Sequence, residues 1–253
     1  MPVAPTAQIH PSARLAADTE VGHFSVIGAN VSLGAGSRIG HHVVIHDDSR
    51  VGCNVRIDDH AVLGKHPMRA ARSATTTETP GLSPAEIGDG GLIGTGAVIY
   101  RGATLGERVL VADLATVRER VAIGAETIVG RGVAIENDTT VGARCKLETN
   151  AYLCAYTTVE DDVFVAPGVL TSNDAFLART EARKAAFAGP TVRSRARLAV
   201  GSIVLPGREV ASESVVGAGA VLTRAASPGQ VHVGIPAREV RPVAPEQLRE
   251  NGG

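Results

Sequence analysis

Two polar residues with empty neighbours are the most chemically suggestive feature of this 253-residue sequence. If positions eighteen apart are vertical neighbours, Asn150 stands between Gly132 and Gly168, and Glu148 between Gly130 and Ala166, with Asp113 on the adjoining line. Polar groups flanked by missing side chains make a shallow groove with room for a ligand, and an amide beside a carboxylate can orient one. A second face of the same period runs Tyr100, Arg118, Glu136, Cys154, beside Arg101, Glu119, Asn137, Ala155. A tyrosine, guanidiniums, carboxylates and an amide suit sugar hydroxyls and phosphates, although alternating sign is also how a stacked surface compensates its own charge. A third line, Arg108, Glu126, Arg144, Asp162, reads as a solvated salt ladder.

The eighteen-residue neighbourhood comes from a six-residue rhythm. Ile, Leu or Val stands at every sixth position from Ile9 to Leu63, from Ile87 to Val165, and from Val192 to Leu222. Four places after each aliphatic there is usually a small residue, as at Ser25, Ser37, Ala97, Thr127 and Cys145, with Gly91 and Arg208 as exceptions. Glycine often follows the aliphatic directly, as at Gly22, Gly28, Gly94 and Gly217. A period of six fits neither a helix nor simple strand alternation. It describes a short strand, a turn and another short strand, with one large and one small side chain inward per unit. Each unit needs its neighbours to bury them.

Two segments interrupt the rhythm, 66–86 and 171–191, and loops of this length in a compact solenoid are usually functional. The first keeps the phase, because Leu63 to Ile87 is four hexads, and the second shifts it. After Leu222 the segment 227–241 is expected to leave the repeat. The reading is one β-helix over 1–241 and a tail over 242–253, with a short helix expected at 245–251.

Composition narrows the partners. Aromatics make up 3% of the chain and tryptophan is absent, which fits thin, regular layers of aliphatics rather than a core built on rings. The formal charge of −1 offers no basic field for nucleic acid or anionic membrane. No apolar stretch approaches the roughly 20 residues that span a bilayer, and the first residues lack the basic and apolar regions of a signal peptide. Cys53, Cys145 and Cys154 are an odd number without paired metal spacing. A reduced, cytoplasmic setting is expected.

The pattern aliphatic–Gly–x–x–small–x resembles the hexapeptide-repeat acyltransferases over roughly residues 9 to 235. That resemblance implies an all-β, left-handed parallel β-helix with three hexads per coil, and a homotrimer with active sites between subunits. The stretches "GKHPMRAARSATT", "GTGAVIYRGATLG", "GRGVAIEN" and "KLETNAYLCAYTTVEDDVFVAPGVLTSND" are similar to N-acetyltransferases acting on nucleotide-linked 3-amino-3,6-dideoxyhexoses. "VHVGIPAREVR" is similar to the tail of coenzyme A-dependent members. The activity implied is transfer of an acetyl or short acyl group from coenzyme A to the amine of a dTDP- or UDP-linked amino sugar.

Such a transfer needs a free amine, a held thioester, relief of charge on the oxyanion and a proton acceptor. No histidine occurs between His66 and His232, so weak general-base demand is expected, with a neutral amine entering and the leaving thiolate taking the proton. Asn150 and Glu148 are assigned the catalytic role, with Asp113 helping to orient the amine. Tyr100, Arg118, Glu119, Glu136, Asn137, Asn173, Asp174 and Arg69 are assigned to substrate, with Arg69 and Arg72 toward the diphosphate. Gly168, Ala199, Gly217, Arg193, Arg195, Arg224 and Arg238 are assigned to acetyl-coenzyme A, and no metal is expected. Two rivals stand beside this. The pair His41 and His46 resembles half of the short histidine spacing of the metal-binding γ-class carbonic anhydrases, though the long-range third partner is not at the matching distance, and by the eighteen-residue rule His23 stacks on His41 and His42 on His60. A solenoid can also be a non-enzymatic scaffold.

Overall fold

The structure is a computed structural model that describes residues 3–75 and 81–248. Two-residue strands succeed one another at each hexad and distribute in strict rotation over three parallel sheets. The first sheet takes strands such as Val26–Ile27, Thr116–Val117, Ala134–Ile135 and Tyr152–Leu153. The second takes Arg50–Val51, Ala122–Ile123 and Thr140–Val141, and the third takes Arg56–Ile57, Leu110–Val111 and Lys146–Leu147. The product is a three-sided parallel β-helix of about 12 turns. Register confirms the eighteen-residue coil: Val117 faces Ile135, which faces Leu153.

Two local devices explain the hexad. Its glycines after the aliphatic sit where coils touch: a Cβ on Gly22 would lie 2.4 Å from the carbonyl oxygen of Gly40, and one on Gly124 would lie 2.5 Å from the nitrogen of Ala143. The small inward register fills with hydroxyls that bond across coils, so that Ser25 Oγ donates to Gly40 O at 2.8 Å and Thr127 Oγ1 to Gly142 O at 2.8 Å. A buried polar group must find a partner, and the neighbouring coil supplies it. Between these hydroxyls the aliphatics form one continuous column of core.

Three corners join the sheets. The first runs from the first sheet to the second, the second from second to third, and the third from third back to first. Both insertions leave from the first corner. The expected bounds shift slightly, because Glu86 belongs to the strand Glu86–Ile87 and Thr171 and Thr191 also lie in strands, leaving insertions of 66–85 and 172–190. Thr171 stands in a buried inward slot that elsewhere holds an aliphatic. Its hydroxyl donates to Tyr152 O at 3.1 Å and accepts from the Cys154 amide at 2.7 Å.

The tail also departs from expectation. Gln230–Val233 extends the third sheet in parallel, and Arg238–Pro242 folds back antiparallel upon it, covering an edge that would otherwise invite pairing. A short 3₁₀ turn forms at Pro245–Gln247. Residues 249–251 of the expected helix, and 76–80 of the first insertion, lie outside the described residues. Among the described residues no helix is long and apolar enough to cross a membrane.

Candidate functional site

The first corner carries a dense polar cluster on the coils between the two insertions. Position 118 stacks on 136 one coil away because the flanking strands Thr116–Val117 and Ala134–Ile135 pair in register. Arg118 donates from Nε to Glu119 Oε2 at 2.9 Å, from Nη2 to Glu119 Oε1 at 3.2 Å, and from Nη1 to Glu136 Oε2 at 3.2 Å. Glu119 is fully buried, so this fork is what makes a carboxylate tolerable there. The Arg118 guanidinium lies 4.9 Å from the ring centre of Tyr100, and Lys65 Nζ lies 5.3 Å from it, both within cation–π range.

One line outward, Arg120 grips Asp138 with two bonds of 2.6 and 2.7 Å. Asn137, fully buried, donates from Nδ2 to Asp138 Oδ2 at 2.6 Å and to Thr75 O of the first insertion at 3.1 Å. Its Oδ1 is buried with no partner among the described residues. The second insertion folds onto the same corner from the other side. Asn173 Nδ2 donates to Ala155 O at 3.2 Å, and Phe187 stacks on Tyr156 with ring centres 6.5 Å apart. Asp174 stays within its own insertion, accepting the amides of Phe176 and Ala178 and one bond from Arg183.

Electrostatics set the character of this floor. Three carboxylates, Glu119, Glu136 and Asp138, face two guanidiniums, Arg118 and Arg120. Burial pushes the Glu136 carboxyl up, with Arg118 opposing, and burial pushes the Tyr152 phenol up to about 12. Burial would also raise Asp138, but the bonds from Arg120 and Asn137 outweigh it and hold that carboxyl below the usual range. A carboxyl depressed in the native state binds protons less readily than in the unfolded chain. Its stabilisation is therefore present above the unfolded value near 3.9 and is lost as pH falls through the folded one. Denaturant unfolding at pH 7 and pH 3 should show a smaller acid loss in Asp138→Asn than in the parent. Equal losses would contradict the role given to this pair.

Two family models match the sequence. "Bacterial transferase hexapeptide (six repeats)" fits residues 24–59, and "Hexapeptide repeat of succinyl-transferase" fits residues 84–112. The chain carries hexapeptide repeats over both stretches. No curated protein matches its sequence. Among solved structures, the Arabidopsis UDP-N-acetylglucosamine acyltransferase is similar over 99% of this chain and 77% of its own, with 18% identity and a TM-score of 0.66. LpxA from Acinetobacter baumannii covers 94% of this chain and 73% of its own, at 19% identity and a TM-score of 0.49. A hexapeptide-repeat acetyltransferase from Vibrio cholerae, complexed with acetyl coenzyme A, covers 48% of this chain and 70% of its own, at 19% identity and a TM-score of 0.43. At these identities the likeness is one of fold.

The hexapeptide-repeat coil brings together most residues assigned to substrate. Tyr100, Arg118, Glu119, Glu136, Asn137 and Asn173 share the first corner, Asp174 lies just beyond it, and Arg69 is exposed on the first insertion. Arg101, named on the same face, joins them, and Arg120, Asp138, Tyr152 and Tyr156, which the face lines do not include, complete the cluster. The line Gly102, Arg120, Asp138, Tyr156 was legible at eighteen-residue spacing.

Asn150, Glu148 and Asp113 lie elsewhere, on the third corner, a sheet-width or on the order of 15 Å away. Asn150 is exposed with φ +60, a left-handed turn position that asparagine tolerates. Its Oδ1 occupies the space a Cβ on Gly132 would need, at 2.5 Å, and Asn54 does the same over Gly36 at 2.4 Å. The groove is therefore filled on the Gly132 side and open on the other, where Cβ atoms on Gly168, Gly201 and Gly219 would meet nothing within 4 Å. Asp113 accepts the Thr95 amide at 2.9 Å, as Asp47, Asp59, Asp89 and Asp161 accept amides at other turns.

The residues assigned to coenzyme A divide among the corners. Gly168, Ala199 and Gly217 share the third corner, but Val233 Cγ1 of the tail lies 2.7 Å from the Cβ position of Gly217. Arg193 bridges Glu160 and Glu209 at 2.8 Å each on the second corner, beside Arg195, which lies 3.6 Å from Glu213. Arg224 is exposed on the first corner, and exposed Arg238 donates to Ala237 O. The salt-ladder line pairs as Arg108–Glu126 at 2.6 Å and Arg144–Asp162 at 2.9 Å. His23 stacks on His41 at 5.6 Å and His42 on His60 at 5.0 Å. Among the described residues no three His, Cys, Asp or Glu side chains converge as metal ligands.

Proposed function

We propose that this hexapeptide-repeat chain is an acyltransferase that moves an acetyl or short acyl group from coenzyme A to the amine of a nucleotide-linked amino sugar, working as a homotrimer. The observation that carries this reading is the convergence of both insertions on one polar corner. A floor of carboxylates, amide and phenols suits an amine and sugar hydroxyls, whereas a diphosphate needs cations, which the first insertion carries at Arg69 and Arg72. Glu136, half-buried beside Arg118 and Tyr152, is the group best placed to hold the amine.

The third corner is assigned to the donor. Gly168, Gly201 and Gly219 form an open backbone-lined strip along the helix axis above Asn150 and Glu148, a path for an extended thioester arm. Both corners border the first sheet, whose outward residues include Val26, Val44, Val62, Val98, Leu170 and Ile203, while the second sheet turns out Arg14, Ser32, Arg50, Glu86 and Thr104. A largely apolar face of this length is a contact surface. A copy docked on the first sheet closes both corners, and three copies satisfy it as a ring.

In the reaction the amine nitrogen attacks the thioester carbon, the new C–N bond forms as C–S breaks, and the amine proton passes to the departing thiolate. With the first corner of one copy against the third corner of the next, turn amides and the Asn150 side chain would meet the developing oxyanion. Release of free thiol from acetyl-coenzyme A across a panel of dTDP- and UDP-linked amino sugars tests the reading. Acceptor-dependent release supports it, and release by no member of the panel overturns it.

Asn150→Gly removes the amide while keeping the left-handed turn at no steric cost. It is expected to lower kcat by on the order of ten- to a hundredfold with little change in unfolding midpoint. A kcat near the parent value would leave Asn150 a turn residue like Asn54.

A further inference from the structure

We propose that Arg101 is the positioning residue that latches the first insertion over the polar corner, and that this latch governs access of the acceptor. The chain leaves the first sheet at Lys65 and enters the second at Glu86, so this coil forms no ordinary turn at the first corner. Arg101, on the next coil, spans the gap. Its Nη1 donates to Asp47 O at 2.8 Å and its Nη2 to Asp48 Oδ2 at 2.8 Å on the preceding coil, while Nε donates to Leu82 O at 3.0 Å on the returning limb of the insertion. Its side chain is 14% exposed.

A seat lies beside the latch. Leu82 Cδ2 stands 3.2 Å from where a Cβ on Gly102 would be, and Gly102 has φ +85. The outgoing limb is held separately, by the bond from Asn137 Nδ2 to Thr75 O. One limb is thus fastened at the coil of Arg101 and the other at the coil of Asn137, with the coil of Arg118, Glu119 and Arg120 between them. Asn137, assigned above to substrate, also holds the insertion. A planar fork that meets three acceptors on two segments, the preceding coil and the returning limb, is a task that lysine cannot repeat.

Limited trypsin digestion of the full chain tests the latch without any substrate. Arg101→Met should speed cleavage after Arg69 and Arg72 by about tenfold or more, because cleavage follows the open population, while the unfolding midpoint and cleavage after Arg208 stay near the parent values. Leu82→Ala, which empties the seat over Gly102 without touching a charge, should open the same segment, and Arg101→Lys should fall between. Equal cleavage in parent and Arg101→Met, or equal acceleration throughout the chain, would overturn the latch.

The link to access rests on the function proposed above and is read in kinetics. Arg101→Met should raise KM for the acceptor severalfold and leave KM for acetyl-coenzyme A unchanged. An opened insertion with unmoved acceptor KM would overturn that link. Absence of acyl transfer in the parent chain would fall on the proposed function, and the digestion result would still decide the latch.

Discussion

Arg118→Ala is expected to cost about 3–5 kcal/mol of stability and to abolish acyl transfer. The carboxylate of Glu119 has no exposed surface, and Arg118 donates two bonds to it. Removing the guanidinium leaves a charge in the interior that water does not reach, and Glu136 loses the same partner. Tyr100 also loses the cation above its ring. Arg118→Lys keeps one charge but not the fork, so it should recover only part of the loss. Guanidinium unfolding of both variants measures the effect. A loss below about 1 kcal/mol, the range of a surface pair, would mean that solvent enters the corner and that the cluster is not the closed floor described here.

Ile135→Asp is expected to be more damaging still, leaving little folded chain in the soluble fraction. Ile135 is fully buried, stacked between Val117 and Leu153 in the middle of the core column. An unpaired carboxylate at that place has no hydrogen-bond donor to meet it. In a stack held by nearest neighbours, a break in a central coil separates the two halves and with them the two insertions. Ile135→Val should cost only about 0.5–1.5 kcal/mol. Ile9→Asp, in a partly exposed end coil, should be tolerated far better than Ile135→Asp. Equal tolerance at the two positions, read from soluble yield and circular dichroism, would contradict a core that depends on stacking.

These contrasts show where the sequence was legible. The six-residue aliphatic rhythm determines the inward column almost completely, because only an unbroken column can be buried by coils this thin. The coil length followed, and with it the stacking of His42 on His60 and the pairing of Arg108 with Glu126. Convergence of the insertions was hidden by one residue. Thr171 lies 72 residues, or four coils, after Ile99 and continues the same sheet, but a hydroxyl at an inward position does not announce itself as core. With Thr171 recognised, both insertions fall on the first corner by counting alone.

The site residues were harder to read. Stacking places Asn150 over Gly132, but which way an amide turns is decided by local space, and it turns into the place that glycine vacates. Asp113 has an acidic side chain at a turn for a reason internal to the coil, since it caps an amide one coil away. Spacing put Arg101 on the polar face but not its partners, because it reaches past an insertion to residues more than fifty positions earlier in the chain. The tail departed from the period in sequence, since Val216 to His232 is sixteen residues, yet hydrogen-bond pairing still added it to the third sheet.

Hydrogen–deuterium exchange, run with and without the amino-sugar nucleotide that supports thiol release, tests most directly where the acceptor is held. The account predicts slower exchange in both insertions and in the turns at 118–120 and 136–138, with the salt-ladder corner at 107–109 and 143–145 unchanged. Protection confined to the salt-ladder corner or to the tail, with both insertions exchanging as before, would contradict it.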